Sequence, residues 1–89
     1  MAKSIKLRYF ASLQEQTKVA EESLVTKLNT YQELYDSLAE RHGFNLSSSQ
    51  VKVAVNDEFT TMENTILDQS TVVFIPPLLG VNFHGFSFI

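Results

Sequence analysis

Only one stretch of this chain can form a long helix, and that restricts every fold open to it. Thr30 is followed three residues later by Glu33, the spacing of a capping box. In that motif the threonine oxygen accepts the Glu33 amide while the carboxylate reaches back to the cap amide. Tyr31, Leu34, Tyr35, Leu38, Ala39 and His42 then recur at helical spacing as one apolar stripe, and Gly43 supplies a left-handed stop. Ala11 to Lys18 contains helix formers but lacks length and amphipathicity, so it reads as a short helical turn or a structured loop. A single stripe can bury one face of one sheet.

The rest of the chain supplies that sheet. Ile5, Leu7 and Tyr9 alternate with Lys6 and Arg8, and Val19 to Leu28 alternates again, which predicts two strands paired as a hairpin. After the helix Phe44 tucks beneath its end, and Asn45 to Gln50 reads as a solvated loop. Val51, Val53 and Val55 make a third strand, and Asn56-Asp57 offers a tight turn into Glu58-Phe59-Thr60. Ile66 and Leu67 are expected to pack a loop with two aliphatic side chains. Val72-Val73-Phe74-Ile75 is apolar on both faces, the pattern of a central strand with cover above and below, and Pro76-Pro77 ends it by removing two ladder donors. This order is α+β. It matches a β-grasp, the ubiquitin-like arrangement, with a mixed four- or five-stranded sheet, one main helix, and the last strand parallel beside the first. A ferredoxin-like alternative needs a second full helix.

Composition narrows the functions. With 89 residues, one domain is expected. A net charge of −3 and no Lys/Arg cluster remove the attraction that nonspecific nucleic-acid binding depends on, so nucleic acid is not an expected partner. There is no cysteine, which excludes thiol nucleophiles and thiolate metal sites. The N-terminal residues mix charged and apolar side chains with no signal-peptide core, and the run from Val72 to Val81 is half of a membrane span. The expected compartment is the cytoplasm. Every charged side chain lies at or before Asp68. Gln69 to Ile89 carries none, yet holds Phe74, Phe83, Phe86 and Phe88, four of the seven phenylalanines.

Side-chain chemistry is sparse. His42 lies in the last helical turn, where a cation favours the helix dipole, and His84 stands alone, so no metal site is expected. Glu21, Glu22, Asp57 and Glu58 read as solvated carboxylates on turns and strand ends. With Gly43, Gly80 and Gly85 as the only glycines, no phosphate-binding glycine motif is present.

Three segments together are distinctive: Lys6-Leu-Arg-Tyr-Phe-Ala-Ser-Leu-Gln-Glu-Gln-Thr17, Val53-Ala-Val-Asn-Asp-Glu58 and Val72-Val-Phe-Ile-Pro-Pro77. In order and spacing the chain resembles the small subunit of molybdopterin synthase, the MoaD family, over roughly residues 4 to 80, and more loosely the thiamin sulfur carrier ThiS. The Ile75-Pro76-Pro77 exit favours the former. That resemblance implies a β-grasp domain over residues 1–80 whose C-terminal Gly-Gly carboxylate becomes a thiocarboxylate. A MoeB-like, ubiquitin-activating-like adenylyltransferase would use ATP for the activation. A MoaE-like large subunit would hold the pterin and receive the sulfur, leaving no cofactor bound directly by this chain. It further implies partner contacts through an apolar patch at Phe10, Phe59 and Ile75 and through the exit Pro76, Pro77, Leu78, Leu79 and Gly80, the last being the reacting residue once its carboxylate is free.

The sequence departs from the family at that end. Val81 stands where the terminal glycine belongs, and Asn82 to Ile89 follow as an aromatic tail, residues 81–89. Three readings of it stand open: a segment removed after Gly80 or Val81, an extension that binds a partner or self-associates through Phe83, Phe86 and Phe88, or a shifted, inactive end. The second leads to a different function, a noncatalytic interaction module; a ubiquitin-like protein modifier is a third.

Overall fold

The computed structural model describes residues 2–77. The alternation of Ile5, Leu7 and Tyr9 becomes strand β1, Lys3–Tyr9, with those three side chains buried and Ser4, Lys6 and Arg8 exposed on the other face. β2, Glu21–Thr26, runs antiparallel beside it, with Ile5 opposite Leu24. The segment between them is a true helix, α1, Ala11–Thr17. Phe10 is its N-cap and makes no side-chain cap; the Phe10 carbonyl accepts the amides of Leu13 at 3.1 Å and Gln14 at 3.4 Å, and Lys18 closes the helix in the left-handed region. What fixes α1 is tertiary: Leu13 is fully buried in the core.

The main helix, α2, spans Tyr31–His42, and both reciprocal bonds of the Thr30/Glu33 capping box form. Gly43 closes it at φ 71°, a conformation glycine adopts without strain, and its amide reaches the Ala39 carbonyl. Tyr31, Leu34, Tyr35 and Leu38 bury the stripe, with Ala39 and His42 at its half-buried margin. Phe44 packs beneath the end, tilted against Tyr35 at 5.7 Å between ring centres. Asn45 to Gln50 contains a short 3₁₀ turn, Ser48–Gln50.

β3, Lys52–Val55, and β4, Glu58–Thr60, form a hairpin whose turn residues Asn56 and Asp57 both have positive φ, 52° and 72°. Both central residues of a type I′ turn have positive φ, and that twist suits paired strands. β5, Ser70–Ile75, lies parallel to β1 and antiparallel to β3, giving a five-stranded mixed sheet in the order β2-β1-β5-β3-β4. This is the β-grasp. α2 covers one face, where Leu7, Val53, Val72 and Phe74 meet Leu34, Tyr35 and Leu38. Each such fully buried side chain contributes about 1.5 to 3 kcal/mol relative to exposure.

Two sequence expectations change here. Ile66 is buried, but Leu67 is 54% exposed, so one aliphatic side chain packs this loop. The loop's position is set by polar contacts: the Ile66 amide donates to the Asn29 carbonyl at 2.7 Å and the Leu67 amide to the Tyr31 hydroxyl at 3.1 Å. The second concerns β5, expected to be covered above and below. Among the described residues α2 covers the side of Val72 and Phe74, whereas Val73 and Ile75 are only half-buried on the other.

Candidate functional site

Strand alternation and register assemble the open face of the sheet row by row. Glu21, Arg8, Val73, Ala54 and Phe59 are consecutive cross-strand partners from β2 through β4, so one row runs across all five strands. The adjacent row, nearer the end of β5, holds Ile75 opposite Lys52. Tyr9 pairs with Phe74, and the extended backbone of Phe10 continues that register by one residue, which sets Phe10 beside Ile75 and away from α2. Phe10 is 45% exposed and Phe59 72% exposed. Ile75 is half-buried rather than core, and Ala54 lies almost buried between Val73 and Phe59.

The three patch residues expected from the sequence thus share one face. Val73 and Ala54 join them, and the alternating run Val72 to Ile75 carried the signal for Val73. Ala54 was hidden because a small residue between valines reads as polar-side spacing.

The patch has a basic margin in an acidic protein. Lys6 forms an ion pair with Glu21 at 3.3 Å, both well exposed, a contact contributing at most about 1 kcal/mol. Arg8 and Lys52 have no ion-pair partner among the described residues. A partner surface that complements this face is therefore apolar at its centre and acidic at its rim.

β5 leaves the sheet at the edge of this patch. Pro76 turns inward and is buried, and Pro77 is exposed. Neither proline can donate a ladder hydrogen bond, so pairing stops here, beside Ile75 and Phe10. Leu78, Leu79, Gly80 and the aromatic tail residues Phe83, Phe86 and Phe88 lie outside the described residues.

A polar cluster on the opposite face corrects one sequence expectation. Glu22 is not a solvated strand-end carboxylate. It points toward α2, half-buried, and accepts a 2.6 Å hydrogen bond from the Tyr9 hydroxyl. His42 Nε2 stands 3.8 Å from the same carboxylate oxygen, its ring stacked on Phe44 at 5.6 Å. Burial first, then the hydrogen bond and charge of Glu22, hold the Tyr9 hydroxyl far above the usual tyrosine range, against a smaller opposing effect of Arg41. A phenol so held stays protonated and serves as a strut joining β1 to β2. Glu21, Asp57 and Glu58 are exposed as expected. Among the described residues no group of three His, Cys, Asp or Glu side chains could hold a metal, and no helix is long and apolar enough to cross a membrane.

Residues 2–77 thus form a ubiquitin-like β-grasp with an open apolar face at the end of β5. Residues 7–80 match the ThiS family, and the chain belongs to it, as a ubiquitin-like sulfur carrier. Solved structures share the fold. SAMP1 from Haloferax volcanii superposes with a TM-score of 0.70 at 17% identity, over 88% of this chain and 99% of that one. A putative molybdopterin converting factor, subunit 1, from Pyrococcus furiosus gives 0.68 at 21% identity, over 85% and 99%. In the complex of subunits 1 and 2 of the molybdopterin-converting factor from Helicobacter pylori, the matching chain gives 0.57 at 23% identity, over 88% and 99%.

Proposed function

We propose that this protein is the sulfur-carrying small subunit of a molybdopterin synthase, docking through the patch around Phe10, Phe59 and Ile75 and through the exit from Pro76 to Gly80. The observation that carries the proposal is the adjacency of the two features: the apolar patch on the open face includes Ile75, the residue that directly precedes Pro76-Pro77. A partner that grips the face has the following segment directed into its own active site, which is how docking supplies proximity to a reaction the small subunit cannot perform alone. The lack of cysteine fits, because the transferable sulfur resides on a chain-end thiocarboxylate.

The chemistry sets one condition. Gly80 is followed by Val81, so its carbonyl is an amide and cannot be adenylated. The carrier form ends at Gly80, after hydrolysis of the Gly80–Val81 peptide bond. The freed carboxylate then attacks the α-phosphorus of ATP on a MoeB-like adenylyltransferase and expels pyrophosphate. A sulfide-equivalent sulfur attacks the acyl carbon and expels AMP, leaving the thiocarboxylate. On a MoaE-like large subunit, which holds the pterin, the sulfur bonds to the pterin, and water then attacks the acyl carbon and cleaves the acyl–sulfur bond, which leaves the sulfur on the pterin and returns the chain as carboxylate.

Intact-mass spectrometry tests this with an activating enzyme, ATP and a sulfur source. The chain ending at Gly80 gains the mass of one oxygen replaced by sulfur, and the full chain does not. No gain by the shorter chain would contradict sulfur carriage and leave the face as a noncatalytic interaction module.

A further inference from the structure

The two edges of the sheet are not equally protected. β4, at one end, is three residues long, and shortness is one way an edge avoids pairing. β2, at the other, is six residues long, pairs with β1 without a bulge and contains no proline. Its backbone phase follows from two bonds. The Tyr9 amide donates to the Ala20 carbonyl at 2.9 Å, whereas the Ser4 carbonyl accepts from the Gln69 amide at 2.8 Å on the β5 side. Ala20, Glu22, Leu24 and Thr26 therefore turn their peptide groups toward β1, and Glu21, Ser23 and Val25 turn theirs outward. Among the described residues nothing pairs with these outward groups.

The side chains along this edge complement themselves. Exposure alternates from Glu21 to Leu28, so Glu21, Ser23, Val25 and Lys27 share the open face, while Leu24 is half-buried and packs on the core. Val25 is 67% exposed. An antiparallel copy can pair only where outward residues stand opposite outward residues. Centred on Ser23, such a pairing sets Glu21 against Val25; centred on Val25, it sets Lys27 against Ser23. Centred on Leu24, it sets Ser23 against Val25 and Glu21 against Lys27, and symmetry repeats both pairs. Directly opposed unlike charges attract, so the edge selects this last register. It also brings Leu24 against Leu24 of the second copy, which extends the apolar margin of the core across the joint.

We propose that two copies of this chain join edge to edge through β2, antiparallel and centred on Leu24, to form one continuous sheet. The two-fold axis of such a joint is perpendicular to the sheet, so both α2 helices lie on one side and both open faces on the other. Phe59, Ala54, Val73 and Ile75 stand on β4, β3 and β5, away from the joint, and stay free in both copies. A strand of six residues buries less than the roughly 1,200 Å² of a standard interface, so the pair forms at high protein concentration. The joint stands on the geometry of the edge and holds whether or not the chain carries sulfur.

The absence of cysteine makes the register readable. Full chains carrying Ser23→Cys and Val25→Cys, both at exposed positions, are mixed in a glutathione redox buffer and the disulfide-linked products are weighed. The mixed dimer is expected to exceed the statistical ratio several-fold, because opposed residues of a hydrogen-bonded pair have Cα atoms about 5.5 Å apart, within disulfide range. An excess of either homodimer would mean another register, and a statistical mixture no pairing; each overturns the proposal. In the ¹⁵N-labelled parent, the amides of Ser23 and Val25 are expected to shift as concentration rises toward the millimolar range, while that of Phe59 stays. Lys27→Glu sets a like charge against Glu21 and should weaken association about tenfold, as should Glu21→Lys. Both positions are exposed, so the fold is kept. An equal mixture of the two variants should regain the parent's association, since each altered charge then meets its opposite. Edge amides that ignore concentration, or a mixture no stronger than its components, would also overturn the proposal.

Discussion

At the scale of single residues, Tyr9 shows how a side chain placed by strand alternation acquires a second role from its tertiary partner. Its ring is core, but its hydroxyl meets Glu22, and the phenol is held protonated far above its ordinary range by burial and by that carboxylate. Tyr35, whose hydroxyl donates to the Leu46 carbonyl at 2.7 Å, is also raised, chiefly by burial. The sign follows from linkage. Below a pH of about 10, where an unfolded tyrosine begins to ionise, the contribution of both groups is fully present. Above it the unfolded chain releases protons that the folded chain keeps, so stability falls as pH rises. Urea unfolding at pH values near 8 and near 11 should therefore show a clear loss for the parent protein and a smaller loss for Tyr9→Phe. A decline of equal size in both would remove Tyr9 from the account. Glu22 itself was not legible as a partner. Alternation puts it on the same face as Leu24, but only the hairpin register, which sets Leu7 opposite Glu22, brings it within reach of the Tyr9 hydroxyl.

At the scale of elements, legibility tracked how local the cause is. α2 was readable because its start, stripe and stop are all written within Thr30 to Gly43, and each works through neighbours three or four residues away. β1 and β5 were readable for the same reason, through alternation. α1 was readable only as a helical turn or a loop, because its N-cap is a phenylalanine, its first residue Ala11 has φ 51°, and it is held by burial of Leu13 against distant residues. The local determinants of α2 are testable one at a time. Thr30→Ala removes a cap bond to Glu33 and is expected to cost about 1 kcal/mol. Gly43→Ala meets no neighbouring atom within 4 Å, so its cost, also about 1 kcal/mol, is the left-handed backbone alone. Thermal or denaturant unfolding reads both. A neutral Gly43→Ala would mean that the helix ends by another device.

At the scale of the whole molecule, the fold divides the work between two faces. The helix-covered face contributes the stability, through a core running from Ile5 to Phe74. The other leaves an apolar patch with a basic rim at the point where β5 lets the chain go. Phe10, Phe59 and Ile75 all came from the family resemblance, with alternation also placing Phe10 away from the core; the strand order sets all three on one face, which no local pattern encodes. The central claim is that this face docks the partners of a sulfur carrier. Its most direct test is the amide shift footprint of the ¹⁵N chain ending at Gly80, titrated with a molybdopterin synthase large subunit and repeated with Phe59→Ser. The account predicts shifts concentrated at Phe10, Ala54, Phe59, Val73 and Ile75. It also predicts an affinity loss for the variant of about 2 kcal/mol, roughly 30-fold, at a stability within about 0.5 kcal/mol of the parent. Shifts confined to the α2 face, or unchanged affinity for Phe59→Ser, would contradict it.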